Sequence, residues 1–225
     1  MKAKFLKRPG RKKLLVFFLG WGMDETPFLE LIPREWDILF LYDFSTWSPF
    51  AIPEGYAEIK VLAWSFGVTA ALSLKDLNFP LLCVAGTGAF YHSRLGIPPR
   101  IFDATLEALK KAPQKTLFSF YRNMFSEQKD LVRFLKRRPQ RPFSSLVEEL
   151  EALKERNFPP NARASVVITL HDRIISARNQ KRFWAERARL SEVPLGHFPF
   201  YQFRDLEDFW NKNFRGVARA FQNLS

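Results

Sequence analysis

An α/β fold is expected from this sequence: a mostly parallel sheet flanked by helices, with an inserted helical lid. The expectation rests on three features. Short apolar runs rich in β-formers alternate with helical patterns in both halves of the chain. From about Ala89 to Pro160 that rhythm stops, and helical stretches are separated by Pro98-Pro99, Pro113, Pro139, Pro142 and Pro159-Pro160. Finally, Ser65, Asp172 and His197 each stand just beyond an apolar run. Alternation of strand and helix implies parallel strands covered on both faces. Residues 1–88 and 161–225 are therefore expected to form the sheet core, and residues 89–160 the lid.

The first strand is read at Leu14–Leu19. Seven Lys and Arg in residues 2–13 precede it, which imitates the start of a signal peptide. The apolar run is short and no small-residue cleavage site follows, so it is assigned to the core. Thr26-Pro27 opens a helix, with Thr26 as N-cap and Pro27 in the first turn. Strands are then expected at Asp37–Leu41, Ile59–Ala63, Leu81–Ala85, Ser165–Leu170 and Ser191–Leu195, and helices at Phe66–Lys75, Asn179–Arg187 and Leu206–Asn213.

Composition narrows the class. A chain of 225 residues suits one domain carrying an insertion, and 47% hydrophobic residues are incompatible with a disordered chain. The single cysteine, Cys83, lies in an apolar run and reads as a buried strand thiol. It permits no internal disulfide, which fits a reducing compartment, and a cytoplasmic monomer is expected. No segment approaches the ~20 apolar residues of a membrane-spanning helix, so no membrane is expected as partner. The net charge of +12 favours an acidic partner, whether nucleic acid, anionic membrane or protein. No nucleic-acid-binding motif is visible, so none is expected.

The chemistry is concentrated at three places. In Val61-Leu62-Ala63-Trp64-Ser65-Phe66-Gly67-Val68-Thr69-Ala70-Ala71 an apolar strand meets a serine and small residues lead into a helix. This is the form of a nucleophile elbow, which lifts a serine hydroxyl above the sheet. Ala63 replaces the first glycine of the usual G-x-S-x-G. The alternative for Ser65 is an ordinary helix N-cap. Asp172 closes the run Val166–Leu170, at the strand end where ligand groups of parallel sheets gather, or else it caps the next helix. His197 follows the last expected strand and a glycine. The order Ser65, Asp172, His197 is that of the α/β-hydrolase triad of nucleophile, orienting acid and base. Asp43, also beyond a strand, is the second candidate for the acid. An oxyanion hole is expected from the backbone N–H groups of Phe66 and Trp21, the latter in Gly20-Trp21-Gly22-Met23, where glycines let the backbone approach a developing anion. No metal and no cofactor are expected, since no CxxC, HExxH or clustered Asp/Glu/His pattern is present.

Phe18-Leu19-Gly20-Trp21-Gly22-Met23-Asp24, Ala63–Val68, His171-Asp172-Arg173-Ile174-Ile175 with Asn179-Gln180, and Gly196-His197-Phe198-Pro199-Phe200 together resemble the BioG-type pimeloyl-[acyl-carrier protein] methyl ester esterases of biotin synthesis. The resemblance spans roughly Leu14 to Trp210 and is weak in the helical insertion. It implies a short α/β-hydrolase core, a helical lid, and hydrolysis of the methyl ester on a pimeloyl chain held by acyl carrier protein. It also supports Ser65, Asp172 and His197 as triad and Trp21 with Phe66 as oxyanion donors. Ser176 departs from the proline expected after the acid. A generic short-chain esterase and a non-enzymatic binding protein of the same fold are the alternatives.

Between Arg94 and Arg141 stand twelve Lys or Arg and four Asp or Glu, a net of +8. Within it Arg133, Lys136, Arg137, Arg138 and Arg141 are expected to dock the acidic carrier, or else to form a solvated face. Trp21, Phe118, Tyr121, Phe125 and Phe200 are the expected substrate contacts.

Overall fold

Five of the expected runs become the interior strands of a seven-stranded sheet: β2 (Lys13–Phe18), β3 (Trp36–Tyr42), β4 (Glu58–Trp64), β5 (Leu81–Val84) and β6 (Ser165–Thr169). The computed structural model describes residues 1–46, 50–74, 77–160, 164–185 and 187–214. β5 and β6 are buried along their whole length, and β2 and β3 nearly so, as strands covered on both faces must be. That burial is why they read as continuous apolar runs.

The two edges differ from expectation. β1 (Lys2–Leu6) pairs antiparallel with β3 and is mostly exposed, so its lysines carried no strand signal. Those lysines suit an edge, where charge deters pairing with another chain. β7 (Arg189–Val193) begins two residues before the expected start, on the opposite, half-exposed edge.

The strand order is β1-β3-β2-β4-β5-β6-β7, and all pairs except β1–β3 are parallel. From β2 the chain moves to one side to form β3, then crosses to the other side of β2 to form β4. The carboxyl ends of β2 and β4 therefore flank the point where the winding reverses. Open parallel sheets bind ligands in the crevice at such a point. The two segments that leave it are Gly20-Trp21-Gly22 after β2 and Ser65 after β4.

Helix α1 (Phe66–Leu72) returns from β4 and lies against β2. Its approach is very close. A Cβ on Gly67 would lie 2.1 Å from the Phe18 carbonyl oxygen, so no other residue fits. Lys75, the expected end of this helix, lies outside the described residues. Thr26 does not cap a helix. It starts a 3₁₀ turn, Thr26–Leu31, and donates its N–H to Asp24 Oδ1 at 2.9 Å. Helix α6 (Ala177–Trp184) begins earlier than expected, because Ser176 is its N-cap and accepts the Asn179 N–H, and it ends earlier, at Trp184, where the Ala185 backbone leaves the helical region with ψ 132°. Helix α7 (Leu206–Asn213) has the expected bounds.

Between β5 and β6 stand helices α2 (Pro99–Lys111), α3 (Pro113–Met124), α4 (Gln128–Lys136) and α5 (Phe143–Leu153). Prolines begin α2 and α3, where a missing N–H costs no helical bond. Each helix buries one stripe, for example Phe102, Leu106 and Leu109 of α2. The bridge between Ala89 and Asn157 ties the two ends of this insertion together. No helix of the described residues is long and apolar enough to cross a membrane. Cys83 is fully buried, and burial raises its thiol well above the ordinary range.

Candidate active site

Ser65 stands at the sharp turn from β4 into α1, with φ 54° and ψ −122°. That conformation is strained for a residue with a side chain, and such strain concentrates at functional positions. Although Ser65 occupies the N-cap position, its side chain makes no cap bond. Its Oγ lies 2.8 Å from His197 Nε2 instead. His197 Nδ1 lies 2.8 Å from Asp172 Oδ2. The three residues thus form one hydrogen-bonded line, and the side chains of both His197 and Asp172 are fully buried.

Asp172 is held from several sides. Its Oδ1 accepts the N–H groups of Ile174 (2.8 Å) and Ile175 (2.9 Å), and its Oδ2 accepts Thr169 Oγ1–H and Gln180 Nε2–H, both at 2.9 Å. Gln180 had no role assigned from sequence. Its only signal there was its place in the Asn179-Gln180 pair of the family pattern. His197 is positioned through its backbone, since Trp64 Nε1–H donates to its carbonyl at 2.7 Å.

The Gly20-Trp21-Gly22 loop lies directly beside the serine. A Cβ on Gly20 would come within 3.1 Å of Ser65 Cβ and 3.0 Å of the Trp64 ring. Gly22 has φ +73°, which a side chain would oppose. Among the described residues neither the Trp21 nor the Phe66 backbone N–H donates to a protein acceptor. Phe66 opens α1, so its N–H has no partner within the helix.

A cavity of about 1030 Å³ opens over Ser65. Trp21, Phe90, Ile97, Phe102, Phe120 and Leu150 give it an apolar wall, and Arg100, Lys111, Lys115 and Arg173 also line it. Of the expected substrate contacts only Trp21 lies on this wall. Phe118 and Tyr121 line a separate hollow of about 610 Å³. Phe125 and Phe200 are core residues: Phe125 packs on Phe134 and Phe198, and Phe200 on Phe17, Trp64 and Phe209. They support the His197 loop from behind. Aromatic content alone did not separate wall from support.

Two charged assignments are corrected. Asp43 is not near His197. It pairs with Lys2 at 2.8 Å and Arg141 at 3.0 Å. Arg141 is not a surface cation, because its side chain is only 4% exposed and also pairs with Glu149 at 2.6 Å. Glu149, on α5, is fully buried. Burial raises its carboxyl above the usual range, opposed by Arg141 and by the N–H groups of Phe44 and Gly22, which it accepts at 2.9 and 3.3 Å. A carboxylate of α5 therefore fixes the peptide next to Trp21. Trp21 Nε1–H adds a second tie to α5, donating to the Leu146 carbonyl at 2.9 Å. Arg141→Glu is expected to destabilise the fold by about 3–5 kcal/mol, the usual result of breaking a buried pair, because it sets a third carboxylate between two others. Urea unfolding measures it, and a midpoint equal to the wild type would refute the buried network.

The remaining cations of that cluster differ among themselves. Arg133 pairs with Glu30 and lies over the Tyr201 ring, 4.2 Å from its centre, and Arg137 reaches Glu30 at 3.7 Å. Lys136 and Arg138 are exposed. Among the described residues no three His, Cys, Asp or Glu are placed to hold a metal ion.

A family model described as pimeloyl-ACP methyl esterase BioG matches residues 1–209. The chain belongs to the BioG family. The crystal structure of BioG from Haemophilus influenzae superposes with a TM-score of 0.80 at 28% identity, covering 95% of this chain and 100% of that one. An enol-lactonase from Burkholderia xenovorans LB400 superposes at 0.66 with 14% identity, covering 94% and 93%, which shows a shared α/β-hydrolase fold. A malonyl-[acyl-carrier protein] O-methyltransferase from Bacteroides fragilis (strain 638R) is 38% identical over 185 residues. That match takes in 78% of this chain but only 37% of the relative's length.

Proposed function

We propose that this chain is a serine esterase that removes the methyl ester from a pimeloyl chain carried by acyl carrier protein, releasing methanol. The observation that carries the reading is the bonded line Ser65–His197–Asp172 at the floor of an apolar cavity with cationic residues along its sides. BioG family membership supports the ester and the carrier. The methyltransferase name belongs to a longer relative, of which this chain matches about a third, and is not carried over.

In the first step His197 Nε2 takes the Ser65 hydroxyl proton as Oγ attacks the ester carbonyl carbon. The carbonyl oxygen becomes an oxyanion, which the Phe66 and Trp21 N–H groups stabilise. Asp172 holds the Nδ1–H tautomer and stabilises the imidazolium. The C–O bond to the methoxy group breaks, and His197 returns its proton to give methanol. Water then gives a proton to His197 and attacks the acyl-enzyme. The tetrahedral intermediate collapses, the bond to Oγ breaks, and His197 returns the proton to Oγ, which frees Ser65 and leaves a carboxylic acid at the chain end.

Mass spectrometry of a methyl-pimeloyl carrier protein tests this. The expected product has lost one methylene-equivalent of mass with its thioester intact. Hydrolysis of the thioester instead, or no change, would reject the proposed substrate. Turnover of small esters alone would leave a generic esterase.

A further inference from the structure

Among the described residues, five arginines on or near the wall of the cavity over Ser65 have no carboxylate partner. Arg100 is the second residue of α2 and Arg173 directly follows Asp172, and both line the cavity. Arg178 and Arg182 lie one helical turn apart on α6, so they share a face. Arg94 is brought to them by Asn179, whose Nδ2 donates to the carbonyls of Gly96 at 2.8 Å and Ser93 at 3.4 Å and so seats that loop on the start of α6. The same loop then runs through Ile97 and Pro98 into Arg100. The patch is thus continuous with the cavity wall.

Among the described residues none of the five has a carboxylate oxygen within 4.0 Å, whereas Arg133, Arg137 and Arg141 of the other lid cluster all do. Desolvation, and then the charges of Arg178 and Arg94, weaken the hold of Arg182 on its proton, so the three charges act on one another. Gathering like charges costs stability, and among the described residues no carboxylate within 4.0 Å offsets it here. Ile101, a large apolar side chain that is 59% exposed, stands next to Arg100 on the cavity wall. An exposed apolar side chain beside unpaired arginines is a composition favoured at protein interfaces.

We propose that the Arg94–Arg178–Arg182 patch, extended to the cavity by Arg100 and Arg173, is the docking surface for the acidic face of the carrier protein, in preference to the Arg133–Arg138 cluster at the end of α4. This rests on the reading that the substrate is carrier-bound. A carrier seated here would have its tethered chain at the open side of the cavity. The α4 cations are already engaged in part with Glu30, which weakens their field toward a partner.

The test compares two charge reversals, Arg94→Glu/Arg178→Glu/Arg182→Glu and Arg133→Glu/Lys136→Glu/Arg137→Glu. None of the six residues lines the cavity or touches Ser65. Each variant is assayed on a carrier-bound methyl ester and on a small soluble ester, at low and high salt. The first variant is expected to lose about 10-fold or more in kcat/KM on the carrier-bound ester, with small-ester turnover unchanged, because steering by opposite charge raises association rates by that order. The wild-type advantage should shrink with salt, as exposed charges are screened over about 10 Å at 0.1 M. An unchanged ratio of the two activities, or a larger loss in the α4 variant, overturns the proposal. A patch variant that loses binding to anionic phospholipid vesicles but keeps carrier activity assigns the patch to a membrane instead and also overturns it. Should the glutamate variant unfold, the triple glutamine variant serves, with a smaller loss expected and the same reversal criterion. A wild type inactive on every carrier-bound ester defeats the functional reading itself, whereas an active wild type with an unaltered patch variant defeats only the docking site.

Discussion

Ser65→Ala is expected to lower ester turnover by about 10⁴- to 10⁶-fold while leaving the fold intact. The loss is large because in the proposed mechanism the hydroxyl forms the acyl bond, and among the described residues the His197 ring bonds only to Ser65 and Asp172. The fold survives because alanine meets the same backbone demand as serine. At φ 54° and ψ −122° both carry a Cβ in a disfavoured region, so the strain is unchanged. A glycine tests that reasoning. Ser65→Gly should be as inactive as the alanine variant but more stable, by part of the ~1–3 kcal/mol that such strain costs. Thermal unfolding separates the two, and a fluorophosphonate should label only the wild type. Alanine activity near that of the wild type would remove Ser65 from the mechanism.

Asp172→Asn is the second large effect, and here the geometry sets out what goes wrong. Oδ2 receives three groups: the His197 Nδ1–H, the Thr169 hydroxyl and the Gln180 amide. Oδ1 receives two backbone N–H groups. An asparagine must turn its NH₂ toward one set of donors or the other. Facing His197, it drives the imidazole into the tautomer with the proton on Nε2, which cannot accept from Ser65. Facing Ile174 and Ile175, it opposes two buried N–H groups, each costing about 1–3 kcal/mol if left unpaired. The expected loss is about 10⁴-fold in kcat with little change in KM, and His197→Ala should be comparable. Neither should add to Ser65→Ala, since the three act as one unit. Steady-state kinetics of the single and double variants check this. An Asp172→Asn enzyme with most of its activity would require another acid, and Asp43, paired with Lys2 and Arg141 away from His197, is not placed to supply it.

The interior of the sheet and the meeting of Ser65, Asp172 and His197 were legible in the sequence for one reason. Parallel strands buried on both faces are short continuous apolar runs, and groups at their carboxyl ends converge on one side of the sheet. Once β4, β6 and the last strand were marked, the three positions followed. What escaped notice involved partners distant in sequence. β1 is a strand only because β3 offers it an edge, and its lysines looked like tail. Arg141 looked like surface charge because Asp43, at the end of β3, is remote in sequence, and Glu149, eight residues on, is buried only by the packing of α5. Glu149 itself is one acid among several on an amphipathic helix, and nothing local marks it as buried. Phe125 and Phe200 were set among the substrate contacts because an aromatic ring is equally suited to wall a cavity or to brace the loop behind it.

The bonds from α5 to the catalytic loop change how this insertion can vary. Cut at its two stitched ends, residues 89–157 look like a cassette that recombination could exchange between relatives. They are not, because Glu149 and the Leu146 carbonyl complete the hydrogen bonding of Gly22, Phe44 and Trp21. A transplanted segment without these groups would strand buried N–H donors next to Ser65. Lineages are thus free to remodel α2 and α3, which wall the cavity, while α5 must be inherited together with the sheet it was inserted into.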